Sequence, residues 1–187
     1  MAIDFGHLLK LGSELTLAHY EGSGTARGTV DGVEFTGLGF RDRSFGPRNI
    51  RQFGRHWAIG MIGVDGASFL TVNVMWANAL TFTAPPSVTM GCLWHDGQKN
   101  VYDAGIVALR RRDASPASIR FPDGLTVNLD VVDRFGETLF VLDPNSAPSG
   151  DVTLEPAYEL RDTYLTAVSP QLGQLVGWYE EGILWVN

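Results

Sequence analysis

"LTVNLDVVD", Leu125 to Asp133, alternates residue by residue. Leu125, Val127, Leu129 and Val131 fall on one side of an extended chain, and Thr126, Asn128 and Asp130 fall on the other. That period of two marks a strand with one face buried and one face wet. The same rhythm runs through "LTLAHYE" (Leu15–Glu21), "ASFLTVNVMWA" (Ala67–Ala77) and "VTLEPAYEL" (Val152–Leu160), where Pro156 interrupts the apolar side. Between such runs stand Asp-Gly pairs at Asp31-Gly32, Asp65-Gly66, Asp96-Gly97 and Asp123-Gly124. Asp-Gly suits two-residue hairpin turns, whose central residues need positive φ. Short alternating runs with frequent turns predict an all-β, antiparallel sandwich or barrel of about 9–11 strands. Helix is expected to be minimal: "DFGHLLKLGSEL" could form one short helix, cut back by Gly6 and Gly12.

The 187 residues are expected to form a single β-barrel domain, 1–187. "LDPNSAPSGD" (Leu142–Asp151) reads as a surface loop rather than a linker. The chain is 44% hydrophobic with a formal net charge of −7, which fits a soluble globular protein and argues against nucleic acid as a partner. Cys92 is the one cysteine, so neither an intrachain disulfide nor a cysteine zinc cluster is expected. No histidine pair has metal-binding spacing, and no metal or cofactor is expected. No run approaches the roughly 20 apolar residues of a membrane span. "MAIDFGHLLKLG" lacks a basic start and a long apolar core, so a cytoplasmic location is expected.

"GLGFRDRSFGPRNIRQFGRHW", Gly37 to Trp57, concentrates charge between two strand-like segments. Gly37, Gly39, Arg41, Asp42, Ser44, Gly46 and Arg48 stand in a pattern with the preceding hairpin "VDGVEF". This run resembles the signature of the calycin-like proteins related to carotenoid 1,2-hydratase and the AttH proteins, and is closest to half-domains of uncharacterised bacterial members. The likeness covers about Leu15 to Met75. Where the family has histidine, tryptophan and aspartate, this chain has Arg43, Phe45 and Asn49. The resemblance implies a lipocalin-like (calycin) barrel. It also implies a homodimer, because the family pairs two barrels and this chain has room for one.

The candidate catalytic residues are Asp42, His56 and Arg43. Asp42 lies between Arg41 and Arg43, and an extended chain turns it away from both. It either anchors an ion-pair network with a returning arginine, Arg48, Arg51 or Arg55, or acts on a ligand. His56 follows the motif directly and is the histidine best placed to move a proton. The candidate ligand-binding residues are Arg41, Arg48, Trp57, Asn73, Trp76 and Tyr102. By alternation Thr71, Asn73 and Met75 share one face of their strand, and Val72, Val74 and Trp76 share the other; the sequence does not say which faces the lumen.

The expected partner is a lipophilic small molecule inside a barrel lumen. One reading is a cofactor-independent enzyme on a terpenoid, polyketide or steroid-like compound, with hydration, dehydration, isomerisation or cyclisation as the reaction. The other is a non-catalytic carrier of a lipophilic ligand. A barrel filled by its own side chains, acting as an interaction domain, is the third.

Overall fold

A computed structural model describes residues 2–4, 18–45, 55–76, 85–112, 115–140 and 158–184. Among them every regular element is a strand. In chain order these are β1 (Ala2–Asp4), β2 (Ala18–Val30), β3 (Val33–Phe45), β4 (Arg55–Gly63), β5 (Ser68–Trp76) and β6 (Val88–His95). There follow β7 (Gln98–Tyr102), β8 (Val107–Arg110), β9 (Pro116–Arg120), β10 (Thr126–Phe140), β11 (Tyr158–Ser169) and β12 (Gly173–Leu184). The all-β expectation holds, with twelve described strands against an expected 9–11. "DFGHLLKLGSEL" beyond Asp4, "LDPNSAPSGD" and Pro156 lie outside the described residues. No helix among the described residues is long and apolar enough to cross a membrane.

The strands make two sheets, both antiparallel. One is β1-β2-β3, and the other runs β7-β6-β5-β4-β12-β11-β10-β9-β8. The larger sheet cannot be flat. Its edge strands β7 and β8 are consecutive in the chain and joined by only residues 103–106. Nine flat strands at about 4.8 Å spacing would hold the edges about 38 Å apart. A link of that length reaches at most about 19 Å. The sheet therefore curls into a half-barrel, consistent with the lipocalin-like fold. Its two edges meet where the rings of Tyr102 and Phe121 lie 4.8 Å apart.

The face that carries those rings is the interior. Trp57, Ile59 and Met61 of β4, Leu70, Val72, Val74 and Trp76 of β5, and Leu175 and Tyr179 of β12 belong to one packed cluster on it. Leu125, Val127 and Leu129 join the same cluster, as their alternation predicts. Past them β10 carries register shifts at Val131/Asp133 and at Phe135/Glu137, where a bulge lets a long strand bend. Strand β5 is buried on both faces because the β2–β3 hairpin lies over its outer side. Phe40 of β3 packs there on Phe69, at 5.5 Å between ring centroids, and on Trp178, at 5.2 Å.

Turn chemistry explains the hairpins. At Asp31-Gly32 and Asp96-Gly97 both residues have positive φ, the geometry that matches the twist of the flanking strands. At Asp65-Gly66 and Asp123-Gly124 only the glycine does, and the aspartate instead accepts a backbone N–H, from Ala67 and Leu125 respectively. The arginine-rich stretch is not a loop throughout. Gly37–Phe45 continues β3 and pairs with β2 along its whole length.

Candidate functional site

Strands β4 and β12 are direct neighbours although their paired residues lie more than a hundred positions apart in sequence. Each carries two polar residues in tandem near one end, Arg55-His56 and Glu180-Glu181. Alternation sends one member of each tandem inward and the other outward. The strand pair therefore holds one polar pair on each face.

On the interior, Arg55 donates from Nε to Glu181 Oε1 at 2.8 Å and from Nη2 to the same oxygen. Both side chains are mostly buried, at 15% and 9% exposure. Trp57 lies one inward position along from Arg55 and meets Trp76 edge-on at 5.0 Å and Tyr179 at 5.9 Å. The Arg110 guanidinium sits 5.9 Å from the centre of a Trp76 ring, within cation–π range. Burial lowers the Arg110 pKa, the Arg55 charge lowers it further, and Glu181 opposes both. Arg161 stands opposite Glu181 on β11, on the same face. Arginine and carboxylate thus cap an aromatic floor at one end of the half-barrel. Such an end can seat an apolar body on the rings and place a polar head among hydrogen-bonding groups.

On the outer face, His56 Nε2 and Glu180 Oε1 lie 3.1 Å apart. Asp162 stands opposite Glu180 on β11. Burial, and then the Glu180 charge, raise the Asp162 pKa above its usual 3.8. The folded state therefore holds this proton more tightly than the unfolded chain does. The ionised carboxylate costs stability above the raised pKa, and the cost is relieved as pH falls through it. Asp162→Asn is expected to melt higher than the parent at pH 7, with the advantage fading as pH approaches 4. Thermal melts across that range check it, and an unchanged melting temperature at pH 7 would refute it. Asn73 lies opposite Ala58, which is itself opposite Glu180. Cys92, on this face too, has its thiol pushed up to about 11 by burial, with Lys99 lowering and Glu21 raising it.

The expected residues divide between these places. Trp57 and Trp76 come together on the interior. Tyr102 is also interior but at the far end, where its hydroxyl donates to Asp123 Oδ2 at 2.5 Å. Burial and then Asp123 push that hydroxyl well above its usual pKa. His56 and Asn73 share the outer face on either side of Ala58. Asp42 is an exposed residue of β3, paired with Glu21 of β2 on the hairpin face that carries Phe40. Arg41 is exposed on the opposite face of the hairpin, and Arg43 follows it in register, its side chain outside the described set. Arg48 lies outside the described residues. Sequence reading missed Arg110, Glu180 and Glu181, and named Arg55 only as a possible partner of Asp42 and not as the partner of Glu181. The tandem charges in strand-like "RHWAIG" and "GWYEEG" were the available signal, since alternation forces one member of each inward. Among the described residues no three His, Cys, Asp or Glu side chains are grouped to hold a metal ion.

Comparison with one solved structure supports the fold. The chain is similar to the crystal structure of an AttH candidate from Nitrosomonas europaea, with a TM-score of 0.52 and 12% identity. The match covers 89% of this chain and 52% of that one. It is also similar to kievitone hydratase from Nectria haematococca, with a TM-score of 0.48 and 8% identity over 100% of this chain and 56% of that one. The chain thus spans about half the length of both solved structures. No curated protein matches its sequence. The family model described as "Domain of unknown function (DUF7064)" matches residues 4–131, more than half of the sequence, and the chain belongs to that family.

Proposed function

We propose that the chain takes up a hydrophobic small molecule against the aromatic end of the half-barrel interior and moves a proton on it. The supporting observation is the largely buried Arg55–Glu181 pair, with Arg110 over Trp76, above the Trp57, Trp76 and Tyr179 rings. The compound class is terpenoid, polyketide or steroid-like, and the reaction is hydration, dehydration, isomerisation or cyclisation without a cofactor. Glu181 is the proton acceptor facing the rings. The guanidiniums of Arg55 and Arg110 steady negative charge that develops on the ligand. Asp42 and His56 remain proposed proton carriers, Arg43 a proposed stabiliser of developing negative charge, and Arg41 and Arg48 proposed ligand contacts. The proposed setting is cytoplasmic and the proposed assembly a homodimer.

A carrier is the second reading, and one observation favours it. Glu181 Oε1 already accepts two N–H groups from Arg55, so this oxygen is taken up by the protein's own hydrogen bonds. Titration with farnesol and farnesoic acid, followed by tryptophan fluorescence, tests binding. Farnesoic acid should bind and Arg110→Met should weaken it about tenfold, while farnesol is affected less. Incubation of terpenoid and enone compounds in D2O then tests turnover. Deuterium incorporation that Glu181→Gln abolishes supports the enzyme. Binding without incorporation leaves the carrier, and no binding by either compound overturns both.

A further inference from the structure

We propose that the outer face of the larger sheet carries a second small-molecule site, floored by Ala58 and closed on one side by Phe40 and Trp178 packed over Gly60, that accepts an uncharged carbonyl oxygen. Three strands build it. On β4, Ala58 presents only a methyl group where neighbouring positions carry large side chains, while Gly60 beside it is covered, a Cβ there lying 2.5 Å from the Phe40 ring and 2.7 Å from Trp178 Nε1. Thr71 and Asn73 of β5 stand opposite Gly60 and Ala58. Trp178 and Glu180 of β12 stand opposite the same two residues on the other side. His56 closes the row along β4, two residues before Ala58, and is held by Glu180 at 3.1 Å. The β2–β3 hairpin roofs this face, with β2 against β5 and β3 against β4.

The observation that points to a ligand is a pair of donors that the protein leaves unanswered. Thr71 is 0% exposed and Asn73 is 8% exposed. Thr71 Oγ1 and Asn73 Nδ2 are both fully enclosed, and neither has a hydrogen-bond partner. A buried amide or hydroxyl without a partner typically costs about 1–3 kcal/mol, and native structures rarely tolerate it without an explanation. Trp178 Nε1 is enclosed and unbonded too, but it lies beside the Phe40 ring, whose face can receive it. Thr71 and Asn73 share one face two residues apart, so their Cβ atoms are separated by about 7 Å. One ligand oxygen can take the Asn73 amide while the body of the ligand lies over Ala58 toward Thr71.

Charge selects the kind of acceptor. Glu180 and Asp162 face the site from β12 and β11, and Glu21 and Asp42 lie on the sheet-facing side of the hairpin. Glu21 is itself buried, at 2% exposure. Four carboxyl groups around an enclosed site repel a carboxylate or phosphate. A ketone, ester or amide oxygen accepts the same hydrogen bond with no charge to desolvate. The surrounding Met75, Met90 and Phe69 are apolar and suit the hydrocarbon part of such a compound. This site is separate from the interior one, and neither proposal depends on the other.

Titration of the 15N-labelled protein with cyclohexanone tests it, read at the side-chain amide resonances of Asn73. Cyclohexane carboxylate and methylcyclohexane serve as the charged and apolar controls. The Asn73 N–H signals should move downfield and saturate with cyclohexanone, and barely respond to either control. Asn73→Leu removes the donor with little change of shape, and Ala58→Leu fills the floor with Asn73 intact. Each should weaken cyclohexanone binding at least tenfold, and Arg110→Met should leave it unchanged. Equal affinity in parent, Asn73→Leu and Ala58→Leu overturns the site. So does a silent Asn73 amide that shows contact with a slowly exchanging water, which would mean that water alone answers the two donors.

Discussion

Gly177→Ala is expected to lower the melting temperature by about 6–12 °C, from a loss of about 3 kcal/mol or more. A Cβ at position 177 would lie 1.9 Å from the Gly60 carbonyl oxygen, 2.8 Å from Met61 Cα and 2.9 Å from Gly60 C. All three atoms are backbone of β4, so no side chain can turn aside to make room. The added methyl must push β12 away from β4, the neighbour with which it pairs along nine register positions. Gly24→Ala is the control, because nothing lies within 4 Å of the corresponding position there. Its melting temperature should stay within about a degree of the parent, since surface changes usually fall within about 0.5 kcal/mol. A Gly177→Ala variant that melts with the parent would mean that the two strands are further apart than described.

Glu181→Ala is expected to cost about 3 kcal/mol, at the lower end of the range for breaking a buried pair because both partners keep some exposure. The loss comes less from the broken hydrogen bonds than from what remains. Arg55 and Arg110 are near enough to repel each other, and Glu181 is the carboxylate that acts on both. The double variant Arg55→Met, Glu181→Leu should recover much of the loss, because apolar side chains of similar size suit a site beside Trp57 and Tyr179. Urea denaturation of the parent, Glu181→Ala and the double variant checks this. A double variant no more stable than Glu181→Ala would refute the charge argument.

Much of the fold was legible because period two and Asp-Gly turns are local signals. Leu125, Val127 and Leu129 turned inward as a set, and two of the four Asp-Gly pairs adopted the hairpin geometry that their sequence favours. Gly37–Phe45 was harder to place. Its two glycines and dense charge look like a loop, yet regular pairing with β2 satisfies its backbone whatever side chains it carries. Strand partners were not legible either. Alternation gives each strand two faces but says nothing about which strand lies beside it, so the β4–β12 pairing had no local signature. The site suffered the same way. Trp57 and Trp76 could be named as ligand contacts, and His56 and Asn73 as polar candidates, but assigning them to opposite sides of one sheet needed the register. Arg110 was invisible as a site residue, since its place over Trp76 depends on β8 returning to the edge opposite β7.

The link 103–106 between β7 and β8 has a consequence for how firmly the half-barrel keeps its shape. It is a tether between two edges that share no ladder of hydrogen bonds with each other. A connection this short holds its ends at a high effective concentration, on the order of millimolar or above for short linkers. Contacts as slight as the Tyr102–Phe121 ring pair and the Tyr102–Asp123 hydrogen bond then suffice to keep the seam shut. Lengthening the tether would touch neither ladder, since β7 stays paired with β6 and β8 with β9. It would raise the entropy of the open seam and let the edges drift apart. The radius of curvature of this sheet is thus set partly by a covalent leash rather than wholly by packing.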